Sequence, residues 1–313
     1  MGDVIHALPA VATLKHSLPG SCVCWVIDPK WAGLLEGNPF VDEIIPFDRR
    51  ALSGLKSAWR QLRSRRYQFA VDFQGLLKSA LVASAARPER IYGFHQSQVR
   101  ERLAALFYSN RVRAQSAHVV DRNLELAAAA GASAILSAFP LPEGAPEGKL
   151  PEGDFVLASP LAGWPGKQWP LEHYSFVARL LRSRLGVPLV LNGPPQAADL
   201  LAGVADAVAH VSGVPGLIHA TRRARAVVGI DSGPTHLAAA LGKPGVAIYG
   251  PTDPARNGPY GESFVVLRED HAVTSYKRSL EIDPAMRAIP PEQVFEILQS
   301  MIAGRGRRAN STA

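Results

Sequence analysis

The chain has 313 residues, 47% hydrophobic and 19% charged, which excludes a disordered protein and favours two domains over one large core. No apolar run reaches the roughly 20 residues that span a bilayer, and the start M-G-D-V-I-H has neither the basic nor the apolar stretch of a secretory signal. The formal net charge is +7, and Cys22 and Cys24 sit in one strand-like run, which argues against a disulfide framework and points to a reduced, cytoplasmic setting.

The first element is helical and starts almost at Met1, in G-D-V-I-H-A-L-P-A-V, running on through Val11–Ser17. Asp3 at its head is either a helix cap or a carboxylate facing a cleft as general base. Strands are predicted over Val23–Ile27 and, shorter, near Glu43–Ile45. Between Arg49 and Arg66 lie seven basic residues and no acidic one. A solvated helix face, an anionic substrate and an anionic membrane surface all suit that run; nucleic acid suits it least, because no nucleic-acid motif accompanies it. The strand Phe69–Phe73 leads through V-D-F-Q-G-L-L-K-S into a helix over Leu76–Ala86. Asp72, Gln74 and Lys78 then fall where parallel sheets place functional groups, Asp72 with a structural reading as well. A strand over Arg90–Phe94 and a helix over Arg100–Tyr108 follow, within a second basic group that contains Arg100 and Arg102 and is diluted by Glu89 and Glu101.

Residues 142–153, P-E-G-A-P-E-G-K-L-P-E-G, break every periodicity and predict an interdomain linker between residues 1–145 and 154–313. The rhythm then restarts with strands over Phe155–Ser159, Pro188–Asn192, Ala226–Ile230 and Gly245–Tyr249. Helices are predicted near Leu171–Leu185, Gln196–Ala207 and Thr235–Leu241, and the last helix of the chain is a candidate to pack back on the first domain. In the loop Ser159–Pro170, Lys167 is the only fixed cation. It is either a surface lysine or a neutraliser of a diphosphate. The run V-V-G-I-D-S-G-P-T-H-L-A-A-A-L-G ends a buried strand, turns at Asp231–Gly233 and starts a helix at Pro234. That places helix N–H groups and a positive dipole end where phosphate oxygens can sit. I-Y-G-P-T-D-P-A-R-N-G-P-Y-G adds a second strand-end loop rich in Gly and hydroxyls.

The fold class that follows is α/β, with two facing doubly wound domains. One strand is missing from this plan, because a doubly wound domain begins with a strand and this one begins with a helix. The chain as written is therefore expected to be poorly stable. About ten upstream residues, a β-branched strand and a Ser-rich turn, are expected to restore it.

G-D-V-I-H-A-L-P, V-D-F-Q-G-L-L-K-S, R-E-R-L-A-A-L-F-Y, D-S-G-P-T-H-L-A-A-A-L-G and G-P-T-D-P, in this order from residue 2 to about 261, together resemble the bacterial ADP-heptose:lipopolysaccharide heptosyltransferases. R-E-R-L-A-A-L-F-Y and S-A-H-V-V-D-R resemble heptosyltransferase I in particular. Three departures stand out. The opening strand is absent, D-S-G-P-T-H replaces the commoner D-T-G-L-S-H, and Ala197 stands where the family often carries a glutamate near the donor nucleoside, with Asp199 as the candidate substitute.

The resemblance implies a GT-B glycosyltransferase of two Rossmann-like domains, working without a bound metal or other cofactor. ADP-heptose would be a substrate, bound by the second domain through Ser159, Lys167, Asp231, Ser232, Gly233, Pro234, Thr235 and His236. The anionic acceptor, Kdo of a Kdo-lipid A, would meet the first domain at His6, Gln74, Lys78, Arg63, Arg66 and Arg100. Asp3 would be the base and Lys167 the group that steadies the leaving diphosphate, in an inverting displacement. A cytoplasmic enzyme peripheral on the inner membrane is expected. Transfer of another sugar or a later heptose on the same fold, and a non-catalytic sugar-nucleotide binder, are the alternatives.

Overall fold

The computed structural model describes residues 1–275 and 277–309, with the backbone alone over 304–309. The chain divides into two units, unit 1 over Asp3–Pro142 together with Met1 and unit 2 from Glu143 onward.

Unit 2 alternates strand and helix: β6 (Val156–Ala158), α5 (Leu171–Leu185), β7 (Leu189–Gly193), α6 (Ala198–Ala202), β8 (Val208–Val211), α7 (Val214–Arg223), β9 (Ala226–Ile230), α8 (Gly233–Ala240), β10 (Gly245–Tyr249), α9 (Pro254–Asn257), β11 (Phe264–Arg268), α10 (Pro284–Ala288) and α11 (Pro291–Ala309). Its six strands form one parallel sheet in the order β11-β10-β9-β6-β7-β8. This is the doubly wound order, with the direction of winding reversing between β6 and β9. Every residue of β7, β9 and β10 is buried, as a parallel strand covered on both faces must be, so their sequences read as unbroken apolar runs. One core cluster joins these strands to α5 and α11.

One expectation for this half changes. The predicted helix Gln196–Ala207 shrinks to α6, because Gly203 caps it after one turn. The last helix, α11, packs against α5, β9 and β10 of its own unit. The first residues of the predicted linker lie on unit 2 as well. Glu147 takes the Gly213 N–H at 2.6 Å, and its carbonyl lies 2.7 Å from the His210 ring. Gly144 has φ +76° and a site for a Cβ only 2.4 Å from the Pro215 carbonyl, so only glycine allows this approach.

Unit 1 contains α1 (Gly2–Ser17), β1 (Cys24–Ile27), β2 (Glu43–Pro46), α2 (Leu52–Arg63), β3 (Phe69–Asp72), α3 (Leu77–Ala85), β4 (Arg90–Phe94), β5 (Asn110–Val112) and α4 (Val119–Ala129). The predicted helix over Arg100–Tyr108 is a 3-10 segment, Arg102–Phe107. It stops there because Tyr108 turns extended and buries its hydroxyl on Asp72. β5 and α4 are not apparent from periodicity: β5 is three residues among arginines, and α4 is capped by the His118 ring, which accepts from Val120 N–H.

The sheet of unit 1 is in two pieces, β1-β2 and β3-β4-β5, both parallel. β1 and β3 line a cavity of about 830 Å³ along their whole length. Val4, Ala7 and Val11 of α1 also line it, as do Val82 and Ala83 of α3 and Ala86 just beyond it. Ordinary protein interiors carry few voids larger than a water molecule. This one has apolar walls and two parallel strand edges, which is the outline of one further strand. Among the described residues none fills it.

Candidate active site

In unit 2 the loops after β6 and β9 flank the reversal point of the sheet, where ligands of such folds bind. The first is fixed by Trp169, which is buried in the core and donates its indole N–H to the Ile289 carbonyl at 3.1 Å. The 3-10 turn Pro165–Lys167 then presents Lys167. The second loop is fixed from behind. The Thr235 hydroxyl donates to the Ile230 carbonyl at 2.5 Å, and a Cβ on Gly229 would lie 2.3 Å from that hydroxyl. Glycine is therefore required at 229, and Thr235, a predicted donor contact, spends its hydroxyl on the turn. Gly233 and Pro234 form the first turn of α8; proline has no N–H and the Thr235 N–H donates to the Ser232 carbonyl at 3.2 Å, which leaves the Gly233 N–H as the opening donor without a helical acceptor.

The two loops meet at Asp231. Lys167 Nζ donates to Asp231 Oδ2 at 2.7 Å, and His236 Nε2 lies 3.7 Å from Oδ1. Burial opposes the Asp231 charge, but the nearby His236 ring and the ammonium of Lys167 outweigh it and hold the carboxyl well below the usual carboxylate range. Asp231 is thus an anion at any physiological pH, and it offsets much of the Lys167 charge. Lys167 still has three N–H donors to distribute, one of them on Asp231. Ser159, after β6, is buried beside this pair's loop.

Two hydroxyls lie close by in the fold. The oxygens of Ser232, a half-buried residue at the N-cap of α8, and of Thr252, buried in the loop after β10, are shielded from solvent and have no hydrogen-bond partner among the described residues. β9 and β10 are neighbours in register, so both loops leave the same edge of the sheet. Buried hydroxyls are rarely left unpaired in a native fold, and two on adjacent strand ends, next to the Gly233 N–H, mark a place for an oxygen-rich ligand. Thr252 is the residue sequence reasoning did not select. Its signal was the hydroxyl inside G-P-T-D-P, read there as turn chemistry, which is accurate for Asp253, the cap of α9. Asp199 stands exposed on the first turn of α6.

Unit 1 gathers a different set at the carboxyl ends of β1 and β3. Asp3 lies in the first turn of α1, yet Met1 is the N-cap there. The Asp3 carboxylate accepts instead from Arg100, at 2.6 and 3.1 Å, and from Gln74 Nε2 at 3.3 Å. Partial burial raises its pKa, but the Arg100 guanidinium more than reverses this and leaves the carboxyl below its ordinary value. Gln74 is aimed by a buried Asp72, which accepts from the Gln74 and Gly75 N–H groups and from the Ser79 and Tyr108 hydroxyls. Asp72 is accordingly structural. Lys78, exposed on α3, lines the same cavity end as Asp3 and Gln74.

Three predicted acceptor residues lie apart from this cluster. His6 is buried in α1, edge-on to the His118 ring with centroids 6.1 Å apart. Arg63 closes α2 and Arg66 precedes β3, at the amino ends of the strands and a strand length from Asp3. Among the described residues, no group of three or more His, Cys, Asp or Glu side chains is placed to hold a metal ion.

Two Rossmann-like units, each with polar groups at the carboxyl ends of parallel strands, are the build of GT-B glycosyltransferases. Residues 55–282 match the model of glycosyltransferase family 9 (heptosyltransferase), and the chain belongs to that family. It is 32% identical to lipopolysaccharide heptosyltransferase 1 of Pseudomonas aeruginosa, over 86% of this chain and 81% of that one. It is 30% identical to lipopolysaccharide heptosyltransferase 1 of Escherichia coli K12, over 86% and 90%. The structure of E. coli heptosyltransferase WaaC with ADP aligns with a TM-score of 0.77 at 26% identity, covering 96% of this chain and 97% of that one.

Proposed function

We propose that this glycosyltransferase transfers heptose from ADP-heptose to a Kdo sugar of the lipopolysaccharide inner core, carried on lipid A, with inversion at the anomeric carbon. The observation that carries the donor half is the pair of buried, unpartnered hydroxyls, Ser232 and Thr252, beside the N-terminus of α8 and the Lys167–Asp231 pair. WaaC has been solved with ADP-2-deoxy-2-fluoro heptose, which supports the same donor here. The diphosphate would take the Gly233 N–H at the head of α8, both hydroxyls and the remaining donors of Lys167. Because Asp231 offsets the lysine's charge, oriented dipoles supply much of the attraction.

Asp3 would receive the proton of the acceptor hydroxyl as its oxygen attacks the anomeric carbon from the face opposite ADP. The C–O bond to ADP breaks as the new one forms, and the leaving diphosphate keeps the electron pair. A carboxylate held below its ordinary pKa is a weak base for an alcohol, so proton transfer is late and accompanies bond formation. General-base assistance of this kind contributes on the order of 10²–10⁴-fold. Arg100 and Gln74 orient the carboxylate, and Arg100 with Lys78 would meet the Kdo carboxylate. No resident cofactor enters this scheme. A lipid-borne acceptor implies peripheral work on the cytoplasmic face of the inner membrane.

The test is ADP release from ADP-heptose with and without Kdo-lipid A, and the anomeric configuration of the product by NMR. Acceptor-dependent release with inversion is expected. Release that ignores the acceptor, or a retained configuration, contradicts the reading.

A further inference from the structure

One face of unit 1 is unusual for a protein surface. α3 packs between α2 and the 3-10 helix Arg102–Phe107, so the three form one layer over the sheet. On α2, Leu52, Lys56, Trp59 and Arg63 recur at spacings of four, three and four, which puts them on one stripe. Leu52 is 79% and Trp59 54% exposed, while Ala58 and Leu62 face the core. Leu103 and Leu106 stand three apart on a helix of three residues per turn, hence on one side, and are 60% and 67% exposed. Leu81 of α3 is exposed between them.

The same layer is cationic: α2, α3 and residues 102–107 carry Lys56, Arg60, Arg63, Lys78 and Arg102 and no acid. Glu101, which adjoins it, holds the Leu77 N–H at 2.6 Å. The Arg63 guanidinium lies 5.1 Å from the Trp59 ring centroid, cation over aromatic.

Exposed leucines clustered with a tryptophan mark an interaction surface, and the charge decides the partner. Two copies of this face would set like charges against each other. A nucleic-acid groove would use the cations and the ring but has no use for leucines. An anionic bilayer uses all three, with leucines at the acyl boundary, tryptophan at the headgroup level and Lys and Arg on lipid phosphates. We propose that the layer of α2, α3 and residues 102–107 is the face by which unit 1 lies on an anionic bilayer. Trp59, Leu81, Leu103 and Leu106 seat at the headgroup boundary, and Lys56, Arg60, Arg63 and Arg102 meet lipid phosphates. This deepens the proposed function and rests on its lipid-borne acceptor. It also gives Arg63 a role at its observed place, away from Asp3.

The experiment uses the full chain and sedimentation with vesicles of phosphatidylcholine, pure or with about a third phosphatidylglycerol. The protein is expected to bind the anionic vesicles and not the neutral ones. Leu103→Ser/Leu106→Ser should weaken that binding at least tenfold with an unchanged Tm, whereas Leu200→Ser on unit 2 should not. Bromolipids should quench the protein's fluorescence, and Trp59→Phe should bind normally but lose that quenching. Three outcomes overturn the proposal: binding that ignores the double substitution, quenching that persists in Trp59→Phe, or a dimer that the double substitution dissolves. Turnover on acyl-free Kdo acceptor separates the two readings. If wild type transfers no heptose while the vesicle profile holds, the transfer reading fails and the face stands. Transfer with a vesicle profile indifferent to these side chains leaves the reverse.

Discussion

Units 1 and 2 follow one plan and complete it unequally. Unit 2 closes a six-stranded sheet around its reversal point, and a single core cluster runs through it. Unit 1 leaves β1-β2 and β3-β4-β5 as separate sheets, with smaller clusters around Leu8, Ile45 and Leu126. The difference shows in how each holds its functional groups. Ser232 and Asp231 stand directly on a buried strand end with neighbours on both sides. Asp3 is held by side chains, Arg100 and Gln74, and Gln74 in turn by Asp72. The proposed donor site rests on backbone at a strand end; the proposed base, Asp3, rests on a side-chain network.

The sharpest way to break this contrast is at Lys167. Lys167→Ala strands the buried Asp231 charge and is expected to cost about 3–5 kcal/mol of stability. Loss of a charge-assisted bond to the diphosphate should weaken ADP roughly tenfold to a hundredfold. The double variant Lys167→Ala/Asp231→Ala should recover stability in thermal unfolding but not ADP affinity in calorimetry. Recovery of both would make the pair purely structural.

The next concerns the split sheet. Joining a β-branched apolar segment and a Ser-rich turn ahead of Met1 should pair both open edges and raise Tm by on the order of 10 °C, taking several kcal/mol at 2–4 °C each. An unchanged Tm would mean that the two half-sheets are complete as they stand.

Smaller effects separate the two groups of arginines. Arg63→Glu/Arg66→Glu should flatten the salt dependence of KM for a lipid-borne acceptor and raise that KM severalfold. KM for an acyl-free acceptor should stay near normal. Equal changes on both acceptors would return these residues to Kdo recognition. Arg100→Ala should act through pH instead. Arg100 holds the Asp3 pKa down against burial, so removing it raises that pKa. The acidic limb of kcat/KM then moves to higher pH, and an unmoved limb would show that Asp3 is not the titrating base.

Much of this was legible in the sequence, for stated reasons. β7, β9 and β10 read correctly because strands buried on both faces are unbroken apolar runs bounded by turns. The strand–turn–helix form of Asp231–His236 was legible because Gly-Pro after a strand has few other uses. What escaped depends on partners distant in the chain. That Thr235 turns its hydroxyl inward, that Lys167 is tied to Asp231 and that Arg100 lies on Asp3 across 97 positions are facts of three-dimensional placement. Spacing carries no sign of them. β8 and β11 were missed because they are the two edge strands of the sheet and only partly buried, so neither has a strong period.

The proposed division of labour between the units rests on Asp3, and Asp3→Asn tests it most directly. Turnover of ADP-heptose with Kdo-lipid A and ADP affinity by calorimetry are measured on the same preparation. Turnover is expected to fall at least about 100-fold, with ADP affinity little changed. Near-normal turnover in Asp3→Asn would contradict the assignment, leaving Asp3 a partner of Arg100 and the base elsewhere.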